Sequence, residues 1–332
     1  MKKLTKYIAA AMLYFFFLPL NTFAKELIPV GQVVGLELRD NTVTVAAFDE
    51  NLGSVSKTAG ISVGDRILKI DGREIRCAED VRKALAQSKG SVMITVSRSG
   101  KERSFKVTPE ITSDGPKLGI YLRQGVTGIG TVTYYDPDTG EFGTLGHGVN
   151  GSNGQLLTLT EGNAYEARVF TVRKGKSGEP GQLMGAIESR TPIGTLRKNT
   201  AQGVFGKSTS GWEGETIPVA DSDEVRTGKA IIRSTVTGNE VREYSVEILK
   251  IYPKSRQNGR NLLLKVTDPA LLEITGGIVQ GMSGSPIIQD GKLVGAVTHV
   301  LVNDPTTGYG IFAENMLETA QNVVEQQLKD AS

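Results

Sequence analysis

Apolar and polar residues alternate along this chain in short stretches closed by turn residues, and helical stripes are rare. Val43-Thr44-Val45-Ala46-Ala47-Phe48, the alternating stretch from Ile67 to Ile70, and residues 91–98 and 103–108 each read as strands. Asp71-Gly72 and Ser99-Gly100 follow two of them, and such dipeptides favour tight hairpin turns. Ala78 to Gln87 carries apolar residues at 78, 81, 84 and 85, the spacing of a short helix. Further on, residues 128–135 run into the turn Asp136-Pro137-Asp138-Thr139-Gly140 and return over 142–149. Short strands recur at 167–172, 183–188, 230–236, 243–251 and 261–266, which predicts a β-barrel or sandwich rather than alternating βαβ units. In this second part the convincing helix is the last one, from Ala313 to Lys329. Its stripe of Leu317, Ala320, Val324 and Leu328 is expected to pack on the body.

Composition agrees with a turn-rich, mostly β protein: 40 glycines and 12 prolines in 332 residues, a length that suits two domains. Lys plus Arg is 38 against 36 acidic residues, and no basic run with interleaved aromatics occurs, so nucleic acid is excluded as a partner. Lys2, Lys3 and Lys6 precede the apolar run Tyr7 to Leu20 and then Asn21-Thr22-Phe23-Ala24. This reads as a signal peptide or an uncleaved membrane anchor over 1–26, which places the body outside the cytoplasm. Cys77 stands alone, which excludes an intramolecular disulfide and a Cys/His zinc cluster; the sequence calls for no metal and no cofactor.

The candidate chemistry lies in Gly281-Met282-Ser283-Gly284-Ser285-Pro286. A serine nucleophile needs a tight turn that exposes its hydroxyl and aims two backbone N–H groups at the developing oxyanion. Ser283 fits the nucleophile, and the amides of Gly281 and Ser283 fit the oxyanion hole. Ser285 reads as support for the turn, and the bland alternative is a strand-connecting Gly/Ser/Pro loop. With two histidines in the chain, the search for a base is short. His147, between two glycines at a strand end, is favoured over His299, which lies in an apolar strand and reads as a packed residue. For an orienting acid the candidates are Asp136, Asp138, Asp221, Asp223, Asp268, Asp290 and Asp304. Asp268, at the end of an apolar strand, is the best placed.

Two resemblances sharpen this reading. Residues 27–110, with A-G-I-x-x-G-D-x-I-L-x-I-D-G-x-x-I at 59–75 followed by a helix and two strands, resemble a PDZ domain. That implies β-augmentation by a peptide ligand or the protein's own segment, with Gly35, Leu36, Glu37 and Leu38 as the matching carboxylate loop. Residues 111–332 carry L-G-H-G, V-T-D-P-x-L-L and a long match through G-M-S-G-S-P to Ile311. Together with the PDZ domain they resemble the stage IV B sporulation peptidases, serine endopeptidases of the trypsin-like clan. The resemblance implies a β-barrel peptidase domain with a C-terminal helix, and His147, Asp268 and Ser283 as catalytic residues. It further implies self-cleavage, then cleavage of a membrane-anchored regulatory protein, so that a sigma-factor-processing protease is activated. The expected place is the space between forespore and mother-cell membranes, at a membrane surface. A non-catalytic PDZ scaffold and a general envelope quality-control protease are the alternatives.

Overall fold

The computed structural model describes residues 25–151, 154–255 and 259–330; the segment read as a signal or anchor lies outside the described residues but for its last two. The described residues open with β1 (Glu26–Pro29) and β2 (Val33–Arg39), and β2 has no exposed position because strands pair with it on both edges. The PDZ module then follows: β3 (Val43–Phe48), α1 (Ser54–Ala59), β4 (Arg66–Ile70), β5 (Arg73–Glu74), α2 (Ala78–Ala86), β6 (Val92–Arg98), β7 (Lys101–Val107), the small hairpin β8 (Glu110–Thr112) and β9 (Gly115–Lys117), and β10 (Ile120–Arg123). Its sheet runs β10-β3-β4-β6-β7, with β5 on β4. Asp71 and Gly72, and Ser99 and Gly100, all have positive φ, the conformation the two hairpin dipeptides were chosen for. Val43, Ile67, Ile70, Ile94 and Val96 fill a core of the module's own beneath α2.

After the module come β11 (Val126–Tyr135), β12 (Glu141–Thr144), β13 (Glu161–Arg173), β14 (Gln182–Thr200), β15 (Gly203–Ser208) and β16 (Ile217–Pro218). The order β12-β15-β14-β13-β2-β11, closed by β11 on β12, makes a first barrel, with β1 and β16 extending it beyond β11. A second barrel closes as β17 (Gly228–Ser234), β18 (Arg242–Ile251), β19 (Leu262–Val266), β22 (Asp304–Phe312), β21 (Lys292–Leu301) and β20 (Pro286–Gln289). Helix α3 (Pro269–Thr275) lies between β19 and β20, and α4 (Ala313–Asp330) ends the chain. Met316, Leu317 and Ala320 of α4 pack with Leu27, Tyr134 and Phe205 of the first barrel and Leu293, Ala296 and Ile311 of the second, so one apolar cluster joins the two barrels. The fold is mostly β, with a PDZ module and two six-stranded barrels.

The module boundary differs from the sequence reading. Residues 27–42 do not open the PDZ domain: β1 and β2 belong to the first barrel, and the PDZ sheet instead runs on to Arg123. The module is thus an insertion between two paired strands, β2 and β11. Gly125, with φ +78, closes its exit so tightly that a Cβ would sit 1.9 Å from the Leu38 carbonyl oxygen. The supposed carboxylate loop falls with that boundary. Gly35 pairs with Ile129 on one side and Tyr165 on the other, and Leu38 pairs with Val126 and Gly162. Leu36 and Leu38 are buried, and Glu37 is held by Arg39 and the Tyr165 hydroxyl. A strand paired on both edges has no main-chain groups left for a peptide. Within the module the free edges are those of β10 and β7.

Candidate active site

The site lies where the barrels meet. Ser283 sits in the turn between α3 and β20, held by backbone bonds to both barrels. The Gly284 N–H donates to Val297 O (2.7 Å), the Val297 N–H to Ser285 O (2.9 Å), and the Thr131 N–H to Ser283 O (3.0 Å). Thr131 Oγ1 donates to Gly281 O and Thr133 Oγ1 to Gly284 O, both at 2.8 Å. Glycine at 284 is obligatory: φ is +98, and a Cβ would lie 2.0 Å from the Thr131 carbonyl oxygen. Ser285, fully buried, bonds the Ser234 hydroxyl at 3.0 Å and supports the turn from inside the barrel.

Within that turn the amides separate into two kinds. The Met282 N–H turns inward onto Val279 O (3.1 Å). The N–H groups of Gly281 and Ser283 have no acceptor among the described residues. Two open donors flanking a serine are what an oxyanion requires.

His147 arrives from the first barrel. After β12, Leu145 (φ +69) and Gly146 (φ +67) reverse the chain, and Gly146 presses on Thr298, Ile311 and Ala296 of the second barrel, where a Cβ would come within 2.8 Å of Thr298 Cγ2. Nδ1 of His147 lies 2.9 Å from the Gly148 carbonyl oxygen. A carbonyl accepts only, so Nδ1 carries the proton and Nε2 keeps its lone pair, the tautomer a base toward serine needs. Burial pushes the His147 imidazole below its ordinary value, partly opposed by the Gly148 carbonyl. The Ser283 hydroxyl donates to the Thr298 carbonyl at 2.9 Å.

His299, read from sequence as a packed strand residue, stands in the same corner. Its ring centroid is 5.3 Å from that of His147, with the planes at 42°. Its Nδ1 is buried without a partner among the described residues. Burial, then the neighbouring His147 and Arg260, push it down to about 4, so it is neutral at neutral pH. It directly follows Thr298, whose carbonyl receives the Ser283 hydroxyl, a contact that only the fold supplies.

Asp268 makes no hydrogen bond or ion pair with His147 among the described residues. It is the N-cap of α3: Oδ1 accepts from the Leu271 N–H (3.0 Å) and Oδ2 from the Ser245 N–H (3.2 Å). The other acidic candidates also serve local structure where their bonds are described. Asp136 binds Lys25 and Thr139, Asp290 has a turn conformation with φ +51, and Asp304 accepts from Thr306 and Thr307. Among the described residues no group of three or more His, Cys, Asp and Glu side chains could hold a metal ion.

A loop at 174–181, the tip of the β13–β14 hairpin, reaches from the first barrel to the second. The Gly175 N–H donates to Thr275 O (2.8 Å), the Gly178 N–H to Val302 O (2.9 Å), and the Ser177 hydroxyl to Asn303 O (2.8 Å). It walls the segment leading into Ser283.

The chain is similar to known proteins in several ways. Two curated relatives, proteins of Agrobacterium fabrum and Rhizobium meliloti named as zinc metalloproteases, are 35% and 30% identical over 99 and 100 residues. Each match takes in 30% of this chain and only 25% or 26% of the relative. The Rv3671c protease in its inactive form, and a serine-to-alanine mutant of Rv3671c from M. tuberculosis H37Rv, superpose with TM-scores of 0.34 at 14% and 15% identity. They cover 58% and 61% of this chain and 82% and 83% of those chains. A PDZ family matches residues 50–98, and the SpoIVB peptidase S55 family matches residues 114–317. The second match takes in more than half of the chain, which belongs to the SpoIVB peptidase S55 family of serine peptidases.

Proposed function

We propose that this chain is an exported serine endopeptidase in which Ser283 is the nucleophile and His147 the general base. One observation carries the reading: a single turn presents Ser283 between two unpaired amides, in the corner where His147 keeps Nε2 free. In the reaction the Ser283 hydroxyl leaves the Thr298 carbonyl and donates to Nε2 of His147. As Oγ attacks the scissile carbonyl carbon, its proton passes to Nε2. The carbonyl electron pair moves onto oxygen, which the N–H groups of Gly281 and Ser283 receive. The imidazolium then gives its proton to the leaving amine as the C–N bond breaks, and water repeats the cycle to free the acid. The Gly148 carbonyl keeps Nδ1–H in place, the orienting task that a carboxylate performs in other serine peptidases.

The family resemblance supports a finer reading. The substrate is first the protein itself and then a membrane-anchored regulatory protein. Its cleavage activates a sigma-factor-processing protease during sporulation, between the forespore and mother-cell membranes. Residues 1–26 direct export or tether the enzyme, and the free edge of β10 supports peptide addition to the PDZ module. The test is incubation of the purified full chain, with fragments mapped by mass spectrometry. Wild type is expected to clip itself, and Ser283→Ala to stay intact; equal clipping by the alanine variant refutes the assignment.

A further inference from the structure

Beside the nucleophile turn, two strand edges line one slot without a partner strand among the described residues. Along β11, residues 127–130 pair with β2 alone; β12 joins only at Val132. Along β14, residues 184–191 pair with β13 alone; Thr209 joins at Pro192 and Ile193, and β15 at Gly194. Both edges line one cavity of about 390 Å³, walled by Thr127, Ile129, Leu183, Met184 and Ile187. The slot leads to the catalytic turn at both rims. The Thr131 N–H, next along β11, donates to Ser283 O, and the Leu183 N–H donates to Gln280 O. Gly281 itself rests on the Leu183 side chain, where a Cβ would come within 3.0 Å.

Unpaired strand edges invite another strand, and their main-chain groups read extended conformation while side-chain pockets read sequence. Met184 and Ile187 are 46% and 37% exposed, large apolar surface left uncovered next to the turn. We propose that this slot is a substrate subsite. An extended polypeptide segment flanking the scissile bond pairs with the free edges of β11 and β14 and lays an apolar side chain against Ile129, Met184 and Ile187. The inference rests on the serine endopeptidase reading and adds to it a substrate class: extended segments with a bulky apolar residue beside the cut.

The test compares wild type, Met184→Glu and Ile187→Glu as full chains, on peptides carrying Leu or Lys at each position flanking the cut. Rates are expressed per Ser283 labelled by a fluorophosphonate, so that lost protein is not counted as lost binding. Both positions are exposed, so a single substitution leaves the core intact. The expected result is a rise in KM for the Leu peptides of about tenfold or more at one flanking position, with a gain for Lys there. Unchanged KM and unchanged preference in both labelled variants overturn the subsite and leave the peptidase reading standing. A wild type that the fluorophosphonate does not label overturns the peptidase reading, and the subsite with it.

Discussion

Two corners of the second barrel make an instructive pair. At the start of α3, Asp268 has both oxygens on backbone N–H groups, Pro269 follows in the first turn, and Gly276 closes the helix with φ +75. Every polar group there that sequence reasoning marked has a partner. At the Ser283 corner the reverse holds. Among the described residues the amides of Gly281 and Ser283 have no acceptor and buried His299 Nδ1 has no partner, and the base is held by a backbone carbonyl. Folded chains satisfy their polar groups almost everywhere, so open donors gathered at one turn mark a place built for a ligand. The bonded aspartate caps a helix and ties it to β18 through the Ser245 N–H.

The comparison is broken or sharpened by substitution, and the largest effect is expected at Ser283. Ser283→Ala should lower kcat on a peptide substrate on the order of 10⁶-fold. His147→Ala should approach that loss, because the serine then lacks its base, while circular dichroism stays native. The rate constant for fluorophosphonate labelling reads both.

A pH profile comes next. His147 must be neutral to accept the proton, and burial lowers its proton affinity, so the acid limb of kcat/KM should lie below the ordinary histidine value of 6.5. His299, at about 4 in the folded state, binds fewer protons there than in the unfolded chain below pH 6.5. Its contribution to stability is therefore present above about 6.5 and lost as pH falls through about 4. His299→Gln should remove that part of the acid destabilisation, as read by urea titrations from pH 7 to pH 4.

The smallest effect belongs to the other corner. Asp268→Ala removes a helix cap, which costs about 1 kcal/mol, and Asp268→Asn should cost less because asparagine caps equally well. Labelling of Ser283 in the folded fraction should fall far less than in His147→Ala. An Asp268→Asn protein as unreactive as His147→Ala would erase the contrast between the corners.

Much of this architecture was legible in the alternation of residues. The hairpins at Asp71-Gly72 and Ser99-Gly100, the helix at Ala78, the barrel strands and the terminal helix all follow from local pattern and turn chemistry. The strand at Val33–Arg39 was not, because its partners are far along the chain: Leu38 meets Val126 and Gly162. Adjacency in sequence to the PDZ module suggested membership that long-range pairing denies. Helix α3 was missed although Asp268-Pro269 is a cap followed by a favoured first-turn proline. That same signal would have given Asp268 its structural task. His299 was set aside for lying in an apolar strand; only the docking of Gly146 onto Thr298 places it against His147.

The most direct measurement is a crystal structure of the fluorophosphonate adduct. The phosphonyl group should be bonded to Ser283 Oγ, with its oxygen within hydrogen-bond reach of the Gly281 and Ser283 amides and with Nε2 of His147 facing Oγ. An adduct on another residue, or a phosphonyl oxygen turned away from two amides still empty, would contradict the account.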